Sequence, residues 1–295
     1  MSQNSNHLFC FGLGYSALVL ARRLKAQGWT VSGTVRPDTE KDHGKREALQ
    51  AENFHVYDFD RDVPLVNPGE ILKDVTHVIT SVPPGKEGDV VLDHHAADIV
   101  ACNNLKWLGY LSTTGVYGNR DGALVHEDDK LNPSSVRSTQ RALAEKRWQV
   151  LWEKFDIPVQ VFRLAGIYGP GRSPLDALRS GRVKQRISKP GHIFSRIHVE
   201  DIANVLIASM TKPNPGRIYN VCDNAPEEPW KVTTLASQLL GIIPPPLVPF
   251  AEAEMSAMAR TFWLDNKRVD NSRILKELDV ELAYPDYETG LKSLL

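Results

Sequence analysis

Short apolar runs alternate with amphipathic stretches through the first two-thirds of the chain. Leu8–Phe11 is strand-like, and after a turn Leu18–Gln27 repeats apolar residues at helical spacing until Gly28 closes the pattern. Further strand-like runs lie at 29–35, 54–60, 76–82, 107–112 and 159–163. The spacing predicts helices over 89–104 and about 135–155. Strand and helix in alternation predict an α/β fold, a doubly wound parallel sheet with helices on both faces. Beyond residue 166 glycine and proline become frequent and the alternation lapses, apart from one return strand at Arg217–Val221. A smaller C-terminal substrate-binding region is therefore expected. The division expected is 1–166, with a return segment at about 200–222, against 167–199 and 223–295.

The first turn carries the chemistry. Gly12-Leu13-Gly14-Tyr15-Ser16-Ala17 lies between the first strand and the first helix, the order of a dinucleotide-binding fingerprint and of a Rossmann-type sheet. Gly12 permits the tight turn, Gly14 lets backbone approach a pyrophosphate, and Ala17 is small enough for helix to pack on strand. Open N–H groups and the positive end of the helix dipole, from Tyr15 and Ser16 onward, then hold the phosphates. The second strand selects the nucleotide. An NAD site places Asp or Glu about 20 residues past the glycines, but residues 31–36 contain no acid and the strand ends at Arg36. A guanidinium suits the 2′-phosphate of NADP, and one charge-assisted contact favours NADP over NAD by about tenfold to a hundredfold.

Bulk properties narrow the partners. The chain has 295 residues, a formal net charge of −1, 42% hydrophobic and 24% charged residues. Nothing in that balance calls for nucleic acid or a membrane surface. Residues 8–21 lack the basic flank of a signal peptide, and no run reaches the length of a membrane span. Cys10, Cys102 and Cys222 have no metal-binding spacing and read as reduced core thiols of a cytoplasmic protein. Asp93, His94, His95 and Asp98 lack a further ligand at a sensible spacing, so no metal is expected, and they are assigned to an exposed or dimer-facing helix.

Four segments beyond the first turn resemble the extended short-chain dehydrogenase/reductases, the NAD(P)-dependent epimerase/dehydratase type. They are Ser112-Thr113-Thr114-Gly115-Val116-Tyr117-Gly118, Arg163-Leu164-Ala165-Gly166-Ile167-Tyr168-Gly169-Pro170-Gly171, Ile197-His198-Val199-Glu200-Asp201-Ile202-Ala203, and Tyr219-Asn220-Val221. The resemblance implies that Thr113 is the catalytic Ser/Thr, that Asp58 meets the adenine amine and that Val82 lines the nucleotide. Tyr117 and His198 lie in motifs near the cleft. The resemblance also implies Tyr-x-x-x-Lys on the long helix. Here the frame Pro-x-x-x-Tyr-x-x-x-Lys-x-x-x-Glu reads Pro133, Arg137, Arg141, Glu145. Arginine stays protonated, so Arg137 cannot be the general base, and loss of a general acid/base costs about 10²–10⁴ in rate. Arg141 is left as a ribose or phosphate ligand and Arg137 as an anion clamp, the alternative being solvated charges on a helix face. Tyr117 or His198 is left as a substitute proton donor, with a structural role as the favoured alternative for both. Glu200 and Asp201 are read as caps of a helix starting at Ile202.

Two functions follow. One is an NADP-binding oxidoreductase or epimerase-like enzyme of altered mechanism acting on an anionic, nucleotide-sugar-like metabolite. The other is a non-catalytic NADP-binding sensor or scaffold. The resemblance further implies a homodimer through the 89–104 and 135–155 helices, with Ala142, Leu143, Val150 and Leu151 as an apolar stripe.

Overall fold

A computed structural model describes residues 6–37 and 44–295. Seven strands form one sheet: β1 (His7–Phe11), β2 (Thr30–Val35), β3 (His55–Asp58), β4 (His77–Thr80), β5 (Trp107–Thr113), β6 (Val159–Leu164) and β7 (Ile218–Val221). Their order is β7-β6-β5-β4-β1-β2-β3. The order reverses beside β1, which pairs in parallel with both β2 and β4. This is the switch point of a Rossmann-type doubly wound sheet, so the loop after β1 opens where such sheets bind ligands. The principal helices are α1 (Tyr15–Ala26), α2 (Lys45–Ala51), α3 (Val90–Val100), α4 (Val136–Phe155) and α5 (Val199–Thr211).

Local chemistry sets the helix ends. Asp89 caps α3 by accepting from Val91 and Leu92 N–H at 3.0 and 3.2 Å. The helix stops at Val100 rather than Asn104, because Asn103 and Asn104 favour turn over helix. Ser135 and Ser138 exchange hydroxyl-to-backbone hydrogen bonds at 3.1 and 3.2 Å and start α4. Helix α5 begins at Val199, three residues earlier than expected.

The chain forms two compact units. One comprises residues 1–112, 140–162 and 206–218, and the other 113–139, 163–205 and 219–295. The expected division at residue 166 followed chain position, whereas compactness already assigns Thr113 and the segment after it to the second unit. The core of the first unit includes Phe9, Phe11, Val78, Leu108, Tyr110, Trp148 and Val161. A core in the second unit joins Tyr168, Leu175, Leu178, Val232, Ala236 and Leu291. Among the described residues no helix is long and apolar enough to cross a membrane, and no group of three or more His, Cys, Asp or Glu is arranged to hold a metal.

Two surface expectations change. His95 is buried rather than exposed: Nε2 accepts from Leu65 N–H at 3.2 Å, and Nδ1 meets Asp98 at 2.8 Å. The stripe on α4 is divided too, since Ala142 and Leu151 are buried within their own chain while Leu143 is exposed. Asp93, on the facing side of α3, joins Arg61 and Arg147 at 2.5 and 2.7 Å.

Candidate active site

The turn after β1 is held by backbone geometry and by two side chains from neighbouring strands. Gly12 has φ +85°, a region L side chains rarely occupy. A Cβ there would lie 2.9 Å from Ser81 Oγ and 3.1 Å from Val82 Cγ2. Gly12 N–H donates to Thr34 Oγ1 at 2.8 Å, and its carbonyl accepts from Ser81 Oγ at 2.7 Å. Thr34 and Ser81 therefore fix the turn, yet neither belongs to the glycine motif that marks it in sequence. Gly14 is the N-cap of α1, which has no side-chain cap and no acid in its first turn. Ser16 and Ala17 are buried against the sheet, whereas Tyr15 and Val82 are half-buried. An uncapped, acid-free helix start beside a turn with no room for a side chain fits a dinucleotide pyrophosphate.

Beyond this turn, Arg36 follows the last residue of β2 and is exposed. Asp58, at the end of β3, forms an ion pair with Arg46 of α2. Its carboxylate is therefore engaged by a cation that nothing in the sequence pattern pointed to.

Arg141 is not a solvated charge. Its Nη1 donates to the Leu111 carbonyl at 2.8 Å and to Tyr110 Oη at 3.2 Å, and the guanidinium lies 5.7 Å from the Tyr110 ring centroid. Tyr110 stacks on Trp148, whose Nε1 donates to Asp89 at 2.9 Å. Burial raises the Asp89 carboxyl above its ordinary value, and Arg141 is among the groups opposing that rise. One turn further along α4, Glu145 accepts from Ser112 Oγ at 2.5 Å, and both residues are buried. The helix is thereby tied to the end of β5.

In the second unit, Thr113 is half-buried and its Oγ1 accepts from Gly115 N–H at 3.1 Å. Arg137 is exposed in the first turn of α4. No hydrogen bond joins the two among the described residues. Tyr117 is engaged by the interior. It is fully buried, its hydroxyl donates to Asn220 Oδ1 at 2.6 Å, and the same oxygen accepts from Arg163 Nη1 at 2.8 Å. Burial pushes the phenol up to about 12. A hydroxyl so occupied holds β7 and the post-β5 segment together.

His198 is likewise buried, 4.0 Å from the Tyr284 ring centroid and 5.2 Å from Tyr168. Burial holds its pKa below the ordinary value. Asp201 does not cap a helix at Ile202. It lies within α5 and accepts from Ala283 and Tyr284 N–H at 2.8 and 2.9 Å, anchoring the C-terminal segment.

The family model for the NAD dependent epimerase/dehydratase family matches residues 12–222, from the first glycine of the turn to the residue just after β7. The chain belongs to that family. It is similar to Protein YeeZ of Escherichia coli (strain K12), at 30% identity over 288 residues, covering 93% of this chain and 95% of that one. A conserved protein of unknown function from Silicibacter pomeroyi DSS superposes with a TM-score of 0.87 at 44% identity, covering 98% of both chains. UDP-glucuronic acid 4-epimerase from Bacillus cereus, solved with UDP-glucuronic acid and NAD, shares the fold with a TM-score of 0.74 at 17% identity, over 98% of this chain and 97% of that one.

Proposed function

We propose that this family member binds NADP(H) and acts as an oxidoreductase or epimerase-like enzyme of altered mechanism on an anionic, nucleotide-sugar-like metabolite. The uncapped, acid-free start of α1 beside Gly12 carries this reading. Gly12, Gly14, Tyr15, Ser16 and Ala17 would hold the pyrophosphate, and Val82 the nucleotide side. Arg36 would take the 2′-phosphate. When bound, the nicotinamide supplies reversible storage of a hydride. Asp58 can meet the adenine amine with whatever acceptor capacity its pair with Arg46 leaves. Among the described residues Arg141 binds Tyr110 and Leu111 through Nη1, and its other nitrogens would serve ribose or phosphate. Thr113 would hold a substrate oxygen, and Arg137, permanently charged and exposed, would attract the substrate anion. An anionic substrate is also in keeping with the UDP-glucuronic acid in the Bacillus cereus epimerase.

A second reading, a non-catalytic NADP sensor or scaffold, is favoured by the buried hydroxyl of Tyr117, which leaves the lost proton donor without its replacement. Calorimetric titration with NADPH and NADH tests the cofactor. NADPH is expected to bind about tenfold or more tightly, with the difference lost in Arg36→Ala; equal affinities in the unmutated protein overturn it. Hydride exchange from NADPH to UDP-glucose and UDP-glucuronic acid then separates enzyme from sensor. Pairing of two copies through α3 and α4 would rest on Leu143 and half-buried Val150, and a monomer by light scattering at micromolar concentration would rule it out.

A further inference from the structure

A second guanidinium lies beside the ends of β2 and β3, and the proposed chemistry leaves it unused. Val35, the last residue of β2, stands opposite Asp58, the last residue of β3, one strand spacing of about 4.8 Å away. Phe59 N–H donates to the Val35 carbonyl at 2.9 Å, so the two ends stay in register. Arg36 follows the first of these ends, and Asp58 forms the second. Arg46, in the first turn of α2, reaches the second end and pairs with Asp58 Oδ1 through Nη2. That nitrogen is buried, yet the side chain as a whole keeps 33% of its surface open to solvent. Among the described residues Asp58 is the one group that holds this guanidinium.

Doubly wound sheets bind ligands beyond the carboxyl ends of their strands, and the adenosine ribose of a dinucleotide lies at the end of β2. A carboxylate one strand away from that ribose repels a 2′-phosphate unless a cation covers it. Arg46 covers it. A guanidinium carries five N–H donors in a planar fork, so contact with one carboxylate oxygen leaves donors for a second anion. The ion pair also fixes the long side chain beforehand, so less rotamer freedom is lost on binding. We infer that Arg46 is a second ligand of the 2′-phosphate of NADP(H), beside Arg36, with Asp58 holding it in place. The inference rests on the NADP(H) reading and assigns part of the same preference to α2, outside the glycine turn and β2. Without Arg46 the phosphate loses a cation and meets an uncovered carboxylate at once.

Calorimetric titration of the full chain with NADPH and NADH, unmutated and as Arg46→Met, tests it. NADPH affinity should fall about tenfold or more, while NADH affinity stays within about twofold. Arg46→Gln, neutral yet able to hydrogen-bond Asp58, gives the same reading should the methionine variant fail to fold. Equal losses for both cofactors would mean that Arg46 only fastens α2 to β3, and they overturn the inference. An NADPH preference unchanged in the folded variants overturns it too. Arg36→Ala measured alongside keeps the two claims apart. A preference lost there but kept without Arg46 removes this inference alone, and equal affinities in the unmutated protein remove both.

Discussion

The turn after β1 and the segment after β5 both begin where a parallel strand ends, yet they are built in opposite ways. In the first, a positive-φ glycine sets the shape, and Thr34 and Ser81 clamp its backbone, leaving a helix start that presents main-chain groups. In the second, side chains set the shape. Tyr117 is drawn inward to Asn220 and Arg163, Arg163 donates also to the Glu127 carbonyl at 2.9 Å, and Glu127 accepts from Asn220 N–H at 2.9 Å. A site made of main chain depends on one conformation being reachable. A site made of side chains depends on which residues the interior has already claimed.

The sharpest way to break this contrast is Gly12→Val. The φ of +85° and the close approach of Ser81 and Val82 make any Cβ strained. The expected cost is about 1–3 kcal/mol of stability, with NADPH affinity falling beyond calorimetric detection. Retained affinity would show that the turn is not the cofactor cradle.

Tyr117→Phe tests the other side. It leaves the Asn220 oxygen without the Tyr117 donor and Arg163 without one acceptor, so denaturant unfolding should show a loss of about 1–2 kcal/mol. NADPH affinity should not change. A variant with full stability but altered hydride exchange would return Tyr117 to the chemistry.

The smallest effect concerns pH. Asp223 is buried, one oxygen accepts from Ala225 N–H and Oδ2 has no hydrogen-bond partner among the described residues, and burial raises the carboxyl to about 7 despite Arg196 nearby. A carboxyl raised above its unfolded value favours the fold when protonated. That stability is full below about pH 4 and is lost as pH rises through about 7. Asp223→Asn should therefore stabilise the protein by about 1 kcal/mol at pH 8 and not at pH 4. Thermal unfolding at the two pH values checks it, and equal shifts at both would refute the burial argument.

The sheet and the first turn were legible in sequence because each is local: apolar runs, a glycine pair and a following helix lie within 30 residues. The post-β5 segment was not. The partner of Tyr117 lies 103 residues away, so no spacing in the sequence reveals that its hydroxyl is occupied. His95 was missed for the same reason, being buried by a backbone N–H 30 residues upstream. On α4 the apolar positions were read correctly but not their directions, since Ala142 and Leu151 turn into the core and Leu143 does not.

The two main-chain N–H groups held by Asp201 have a consequence for synthesis. A domain emerging from the ribosome folds as a unit only when its last required contact has been made. The first compact unit has all its residues once position 218 is exposed. Asp201, fully buried, acquires its partners only at Ala283 and Tyr284. The second unit is thus completed only after the first, and a nascent chain stalled near residue 280 would carry one finished unit and one waiting for its clasp.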